Sequence, residues 1–214
     1  MELIKLSCGV GKSYEEAVTA LFEAKGKKGK NEYNIIVYDG PRLQSKIHEG
    51  IKEKAKTYLD LAKSLTPGQK KWLDQITLYD PVTGLLNKVG FAIRIDEFQK
   101  KGLLEGYYIF FDIDDLHDWN VKLGYTIVDK YLEAIGKTIK DNLRFHNLYP
   151  IAEGIPDIAG HRLNESAGDE FLIFIPGKHT LENDQEVIKI AERILTKVYE
   201  NQKKLCKQLD ESPR

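Results

Sequence analysis

Carboxylates gather in two places along this chain. Phe110-Phe111-Asp112-Ile113-Asp114-Asp115-Leu116 holds three, and Ser166-Ala167-Gly168-Asp169-Glu170-Phe171 holds two more. Each group sits at one end of an apolar run, residues 107–111 before the first and Leu172-Ile173-Phe174-Ile175 after the second. Runs this rich in aromatic and β-branched residues read as buried strands. A buried strand rarely stops on clustered carboxylates without a cation, because like charges repel and resist desolvation. Two such strands side by side would make an oxygen site for Mg²⁺ and, through it, for phosphate oxygens.

The elements that must position those groups can be followed along the chain. Residues 3–10 alternate as a strand. Ser13 can cap a helix over 14–25, with Glu15 and Glu16 in the first turn, where the helix dipole favours them. The run Lys25-Gly26-Lys27-Lys28-Gly29-Lys30 breaks that helix, and a strand over 33–38 ends at the turn Asp39-Gly40-Pro41. Leu43, Ile47, Ile51, Ala55, Tyr58, Leu59 and Ala62 recur at helix spacing. A second helix runs to Leu78, with Thr66 as cap and Pro67 in its first turn. Asp80-Pro81-Val82-Thr83-Gly84 is a turn and 88–100 a helix. Gly124 opens a helix that buries Ile127, Val128, Tyr131, Leu132, Ile135 and Ile139. Residues 145–164 read as part loop and part strand, and 187–205 as a last amphipathic helix. The fold class is α/β (α+β): a mixed sheet flanked by helices, with strands near 3–10, 33–38, 107–112 and 171–176 in one layer.

The 214 residues suit one domain, or one domain with an appendage. At 42% hydrophobic and 30% charged the chain can bury a core and keep a solvated surface. A net charge of −1 gives no reason to expect nucleic-acid or membrane binding. Cys8 and Cys206 are too few and too far apart for a disulfide framework, so both are expected as reduced thiols in a cytoplasmic protein. No apolar run approaches the roughly 18 residues that span a bilayer. Gly9-Val10-Gly11-Lys12-Ser13 after a strand suggests a P-loop, but that pattern needs glycine at position 6, which is Leu6.

From Tyr79 to Val198 the sequence resembles the GGDEF family, the diguanylate cyclases. Asp80-Pro-Val-Thr-Gly-Leu-Leu-Asn87-Lys-Val-Gly-Phe91 is similar to that family's Asp-x-Leu-Thr-Gly-Leu-x-Asn-Arg-x-x-Phe opening. Phe111-Asp-Ile-Asp-Asp-Leu-His-Asp-Trp-Asn120 resembles its Asp-Ile-Asp-x-Phe-Lys-x-x-Asn segment, and Gly124-Tyr-Thr-Ile-Val-Asp129 its Gly-His-x-x-Gly-Asp. Ala167-Gly-Asp-Glu-Phe171 stands for the signature, and Ala191-Glu-Arg-Ile194 matches the helix after it. Each piece is weak alone; their shared order and spacing carry the match. The family's remaining strand, helix, phosphate-binding turn and closing strand are missing after Leu205. Their likenesses stand at the front: Leu6-Ser-Cys-Gly-Val10, residues 14–25, Ala24-Lys25-Gly-Lys-Lys-Gly29-Lys30-Asn31 and residues 33–38. The resemblance therefore implies one circularly permuted domain over 1–214. Residues 1–40 are then the usual C-terminal part, 41–78 a helical connector and 79–214 the main catalytic part. Adjacent termini make such a rearrangement tolerable.

The family joins two nucleoside triphosphates head to tail through two 3′-5′ phosphodiester bonds and releases pyrophosphate. The resemblance implies Asp112, Asp169 and Glu170 as catalytic carboxylates. It implies a site for two Mg²⁺ or Mn²⁺ ions formed by Asp112, the Ile113 carbonyl, Asp169 and Glu170. Gly168 allows a tight turn that a nucleotide can approach. The amides of Asp115 and Leu116, opening a helix, can hold phosphate oxygens. Lys25 and Lys30 fall on the distal phosphate-binding positions, where lysine lacks arginine's bidentate fork. Asn120 and Asp129 match the guanine-reading pair: a carboxylate accepts from guanine's N1–H and 2-amino group but meets a lone pair at adenine N1. The implied partners are GTP, with ATP left open, and a second copy of the chain for catalysis.

Four departures bear on these expectations. Ala167 replaces the signature's first glycine, His117 a phosphate-contacting lysine, Val121 an aspartate and Glu165 an arginine. No Arg-x-x-Asp inhibitory motif precedes the signature. Two alternatives stay open at this point. One is a minimal relative of the palm domain of type III CRISPR polymerase subunits, making cyclic adenylates or mixed products; the other is a catalytically weak GTP-binding sensor.

Overall fold

The computed structural model describes residues 4–26, 33–37, 49–102, 105–143, 157–161 and 168–211. Their order is β1 (Leu6–Gly11), α1 (Tyr14–Gly26), β2 (Tyr33–Val37), α2 (Glu49–Ala62), α3 (Pro67–Leu78), α4 (Lys88–Lys100) and β3 (Gly106–Ile113). Then come α5 (Leu116–Leu123), α6 (Tyr125–Asn142), β4 (Ile158–His161), β5 (Glu170–Pro176) and α7 (Leu181–Glu211). The five strands form one sheet in the order β2-β1-β3-β5-β4. β1 pairs parallel with β2, and the other pairings are antiparallel. The mixed sheet flanked by helices is thus the observed fold.

Strand periodicity sorts the core into two layers. Tyr107, Ile109, Phe111 and Ile113 of β3 meet Leu6, Cys8 and Val10 of β1 and Phe171, Ile173 and Ile175 of β5. That face is covered by α6 and α7 through residues such as Tyr131, Ile135, Ile190 and Ile194. The opposite face carries Phe110, Leu172 and Phe174 under Ala17 and Leu21 of α1 and Phe91, Ile95 and Phe98 of α4. Each fully buried side chain of this size contributes about 1.5–3 kcal/mol. β3 is apolar on both faces because helices cover both. A smaller cluster, Ala55, Tyr58, Leu78 and Ile93, packs α2 and α3 onto α4.

Helix starts follow local chemistry. Ser13 Oγ accepts the Glu16 amide at 3.2 Å. Thr66 and Gln69 form a capping box with Pro67 in the first turn, and Asn87 accepts from the amides of Val89 and Gly90. The caps at Ser13 and Thr66 match the sequence expectations; the one at Asn87 adds to them. β1 begins at Leu6, so that Ile4 and Lys5 of the expected strand lie before it, and α7 runs from Leu181 to Glu211, beyond the expected 187–205. The extra turns are mostly polar, so an apolar periodicity could not reveal them. The helical pattern that starts at Leu43 is described only from Glu49 onward. Of the 145–164 segment, the described part contains β4 and Asp157. No described helix is long and apolar enough to cross a membrane. Cys8 and Cys206 are both buried, and neither is in a disulfide.

The glycines that mimic a P-loop have a packing role. A Cβ at Gly9 would run into Ala17 O and the Leu21 backbone, and one at Gly11 into the Ala17 amide and Glu16. Alternate glycines on one face of β1 let α1 lie directly on the strand. We expect Gly9→Ala to lower stability by about 1–3 kcal/mol through overpacking. A urea midpoint equal to that of the parent protein would show that α1 can move away at no cost.

Candidate active site

The register of the sheet sets the carboxylates against each other. Asp112 pairs directly with Glu170, and Ser7 pairs with Asp112 from the other side. Directly paired residues share a face. That face is the one covered by α1, since Phe110 and Leu172, two residues away on each strand, pack beneath it. The Asp169 carbonyl accepts the Ile113 amide at 3.1 Å, which fixes the signature turn to the end of β3. Asp112, Ile113, Gly168, Asp169 and Glu170, expected together from the sequence, therefore meet at one end of the sheet.

α1 ends over this group. Lys25 Nζ lies 2.6 Å from Asp112 Oδ1, and the carboxylate is almost fully buried. Burial pushes Asp112 up to about 7; Lys25 draws it back, while Asp169 and Glu170 add to the rise. Asp114 is also pushed up by burial, with Ser7 opposing. Ser7 Oγ donates to Asp114 Oδ1 at 2.9 Å, and the Asp114 amide donates to Lys5 O at 3.0 Å. Asp169 Oδ1 is buried with no hydrogen-bond partner among the described residues.

These are hard oxygen donors in a buried, electronegative setting, and their chemistry fits Mg²⁺ or Mn²⁺. An orphaned carboxylate oxygen on Asp169 and an ammonium seated on Asp112 both mark a place for positive charge. Among the described residues no three ligating side chains already stand as a closed cage. A cation would have to draw Asp112, Asp169 and Glu170 together and displace Lys25 from its contact.

Asp115 follows β3 in the left-handed region, φ 58° and ψ 38°. Aspartate tolerates this conformation better than most residues. It opens α5 without a side-chain cap, so its carboxylate does not compete for the helix's first amides. Leu116 begins the helix and packs partly into the core. Asn120 on α5 and Asp129 on α6 are half-buried and lie on either side of Gly124. That glycine, at φ 80°, turns the chain between the two helices. His117 and Val121 on α5 are exposed. Lys30, Glu165 and Ala167 lie outside the described residues.

One functional candidate escaped the sequence. His161, at the end of β4, is fully buried. Its Nε2 lies 3.0 Å from Gly168 O, and its Nδ1 lies 3.3 Å from Asp80 Oδ1. Asp80 Oδ1 also accepts from the Val82 and Thr83 amides and from Thr83 Oγ1. Burial pushes the Asp80 carboxyl up, but His161 and Thr83 outweigh it and hold the group well below the usual carboxylate range. A histidine in the apolar stretch Ile158-Ala159-Gly160-His161 reads as core. Only the pairing of β4 with β5 and with Leu86 reveals its contacts.

With this geometry in view, comparison with known proteins is informative. The family model "Diguanylate cyclase, GGDEF domain" matches residues 77–150. This match bears out, over those residues, the resemblance drawn from the motifs. It spans β3, α5 and α6 but not the signature turn. Among solved structures, the chain is similar to the diguanylate cyclase SiaD from Pseudomonas aeruginosa, solved in complex with its activator SiaC. That likeness has 21% identity and a TM-score of 0.43, covering 70% of this chain and 50% of that one. It is similar to a diguanylate cyclase/phosphodiesterase from Caldicellulosiruptor saccharolyticus, with 26% identity, a TM-score of 0.42 and coverage of 59% and 65%. It is also similar to the GGDEF domain of DgcB from Caulobacter crescentus, solved with c-di-GMP, with 20% identity, a TM-score of 0.36 and coverage of 53% and 58%. The chain thus spans between half and two thirds of the length of these structures. No curated protein matches it.

The raised Asp112 group has a consequence for the metal-free protein. An aspartate near 4 when unfolded binds its proton more tightly in the fold, up to about 7. Between those values the folded state holds more protons than the unfolded one, so stability falls as pH rises. We expect the urea midpoint to decline from about pH 4 to about pH 7, and Asp112→Asn to flatten that decline. An identical slope in the variant would show that Asp112 titrates normally.

Proposed function

We propose that this protein is a metal-dependent nucleotidyl cyclase that converts two molecules of GTP into cyclic di-GMP. The observation that carries the reading is the register pair Asp112 and Glu170, with Asp169 beside them, on the chain that carries the GGDEF match. Asp112, the Ile113 carbonyl, Asp169 and Glu170 would hold Mg²⁺ or Mn²⁺. When bound, such ions neutralise triphosphate charge and acidify a 3′-hydroxyl.

The chain's own residues do the rest. Each round forms two 3′-5′ phosphodiester bonds, each by attack of a 3′-hydroxyl on an α-phosphate with pyrophosphate leaving. Such transfers depend mostly on positioning and charge neutralisation. The first amides of α5 offer donors to phosphate oxygens. Lys25, already 2.6 Å from Asp112, is long and flexible enough to turn toward a triphosphate once the carboxylate is engaged. Lys30 serves the same phosphates. Glu170 is the candidate for metal binding or proton transfer. Gly168 keeps the turn open to the nucleotide, and Asn120 with Asp129 reads the guanine edge. One protomer holds one triphosphate, so two protomers must face each other for cyclisation.

The domain reading accompanies the functional one: a single permuted domain over 1–214, joined by a connector over 41–78. It is supported by the seat of β1 between β2 and β3. It is further supported by α7, whose Tyr199 hydroxyl and Gln202 Oε1 accept the amides of Leu6 and Ile4, each at 3.0 Å.

The test is incubation with equimolar GTP and ATP plus Mg²⁺ or Mn²⁺, with products identified by mass spectrometry. We expect cyclic di-GMP, none from Asp169→Ala, and a selectivity for GTP that Asp129→Ser relaxes about tenfold. Cyclic di-AMP as the main product would overturn the guanine assignment. GTP binding without turnover would mark a sensor. The rate per protomer should fall on dilution, and a flat rate far below the dimer dissociation constant would exclude obligatory pairing.

A further inference from the structure

We propose that His161 is a positioning residue: a buried imidazolium that ties the signature turn to the Asp80 loop, by a hydrogen bond on one side and an ion pair on the other. The inference rests on the cyclase reading only in what it says about metal. The proton assignment follows from what each nitrogen faces. Nε2 stands 3.0 Å from Gly168 O, which can only accept, so Nε2 carries a proton. Nδ1 stands 3.3 Å from Asp80 Oδ1, a carboxylate oxygen that two amides and a hydroxyl already stabilise as an anion. A neutral ring has one N–H, and Nε2 uses it. The lone pair of a bare Nδ1 would then face an anion in a buried site. A proton on Nδ1 turns that repulsion into an ion pair. The contact makes no aligned hydrogen bond, so its attraction is chiefly charge against charge. A buried cation needs such a partner.

The tether acts where it matters for Asp169. The His161 amide donates to Leu86 O at 2.8 Å, and the Leu86 amide donates to Ala159 O at 3.1 Å. Gly136 of α6 packs directly against Thr83, leaving no room for a Cβ. The Asp80 loop is therefore a fixed body. Through His161 it holds the carbonyl of Gly168, the residue before Asp169. The Phe171 ring packs against the imidazole, centroids 4.3 Å apart and planes tilted by 30°. With Gly168 fixed on one side and the Asp169 carbonyl bonded to Ile113 on the other, the Asp169 side chain is left pointing at a set place. Outer partners of this kind typically govern metal affinity by 10–100-fold.

The experiment uses the full chain without nucleotide. Nitrogen-15 NMR of the imidazoles should show both His161 nitrogens protonated, and only one in Asp80→Asn. A single protonated nitrogen in the parent protein would overturn the assignment. His161→Phe keeps a ring against Phe171 but donates nothing. We expect its Mn²⁺ dissociation constant, by calorimetry, to rise about tenfold. Amide exchange at Asp169 and Glu170 should quicken while that of β1 and α7 stays unchanged. His161→Gln, which restores one donor toward Gly168, should recover part of both. Unchanged exchange at the turn in folded His161→Phe would sink the tether. A parent protein with both nitrogens protonated and a His161-dependent turn, yet no Mn²⁺ binding, would uphold the tether and refute the metal reading alone.

Discussion

Two carboxylates placed opposite each other in a sheet are the constraint on which the rest depends. Asp112 and Glu170 are a direct register pair, with Asp169 one residue away. Like charges in that relation destabilise a sheet, and burial makes each charge more costly still. The fold tolerates the group by supplying an ammonium. Lys25 reaches Asp112 because α1 runs back along β1 from Gly11 to the end that holds Ser7. It can lie so low because Gly9 and Gly11 carry no side chain. The glycines, the helix and the lysine are thus parts of one device that delivers a positive charge to a negative end.

The apolar sheet bears the cost. β3 and β5 are buried over almost their whole length, with Tyr107, Phe110, Phe111, Phe171 and Phe174 all nearly inaccessible. Backbone pairing along seven register positions between them leaves the carboxylates no freedom to separate. A cluster of this kind on a loop would relax by turning into solvent. Here the strands hold it in place, so neutralisation must come from protonation, from Lys25 or from a cation. That is why Asp112 is displaced to about 7, while exposed pairs such as Lys63 with Asp60 sit on the surface, where ion pairs contribute little.

What the sequence reveals follows from the range of the interaction concerned. The strand ends were legible in Asp112-Ile113-Asp114-Asp115 and Gly168-Asp169-Glu170, because apolar runs that stop on acids need only local reading. Thr66 and Ser13 announce helix starts within four residues. Convergence of Asp112 with Asp169 also follows, once both runs are strands of one sheet. The Lys25 contact with Asp112 was not legible as such. It depends on a helix riding on two glycines that, in sequence, imitate a phosphate loop. His161 was hidden for a similar reason. Its partners are Asp80, 81 positions earlier, and a main-chain oxygen, which no side-chain pattern records. Tyr199 and Gln202 read as parts of an amphipathic helix, yet their polar atoms accept the amides that open β1.

Those last two contacts hold the start of β1, which lies between β2 and β3 in the sheet. The amides of Ile4 and Leu6, which lead into β1, belong to fully buried residues. Unpaired, each would cost about 1–3 kcal/mol. α7 meets that need with side chains instead of a covalent turn. The same strand supplies Ser7 to Asp114, Lys5 O to the Asp114 amide and the glycine bed for α1. Loosening the start of β1 would therefore release Asp114 and Lys25 together. The integrity of the acidic end of the sheet depends on two polar atoms of a helix nearly two hundred residues away in sequence.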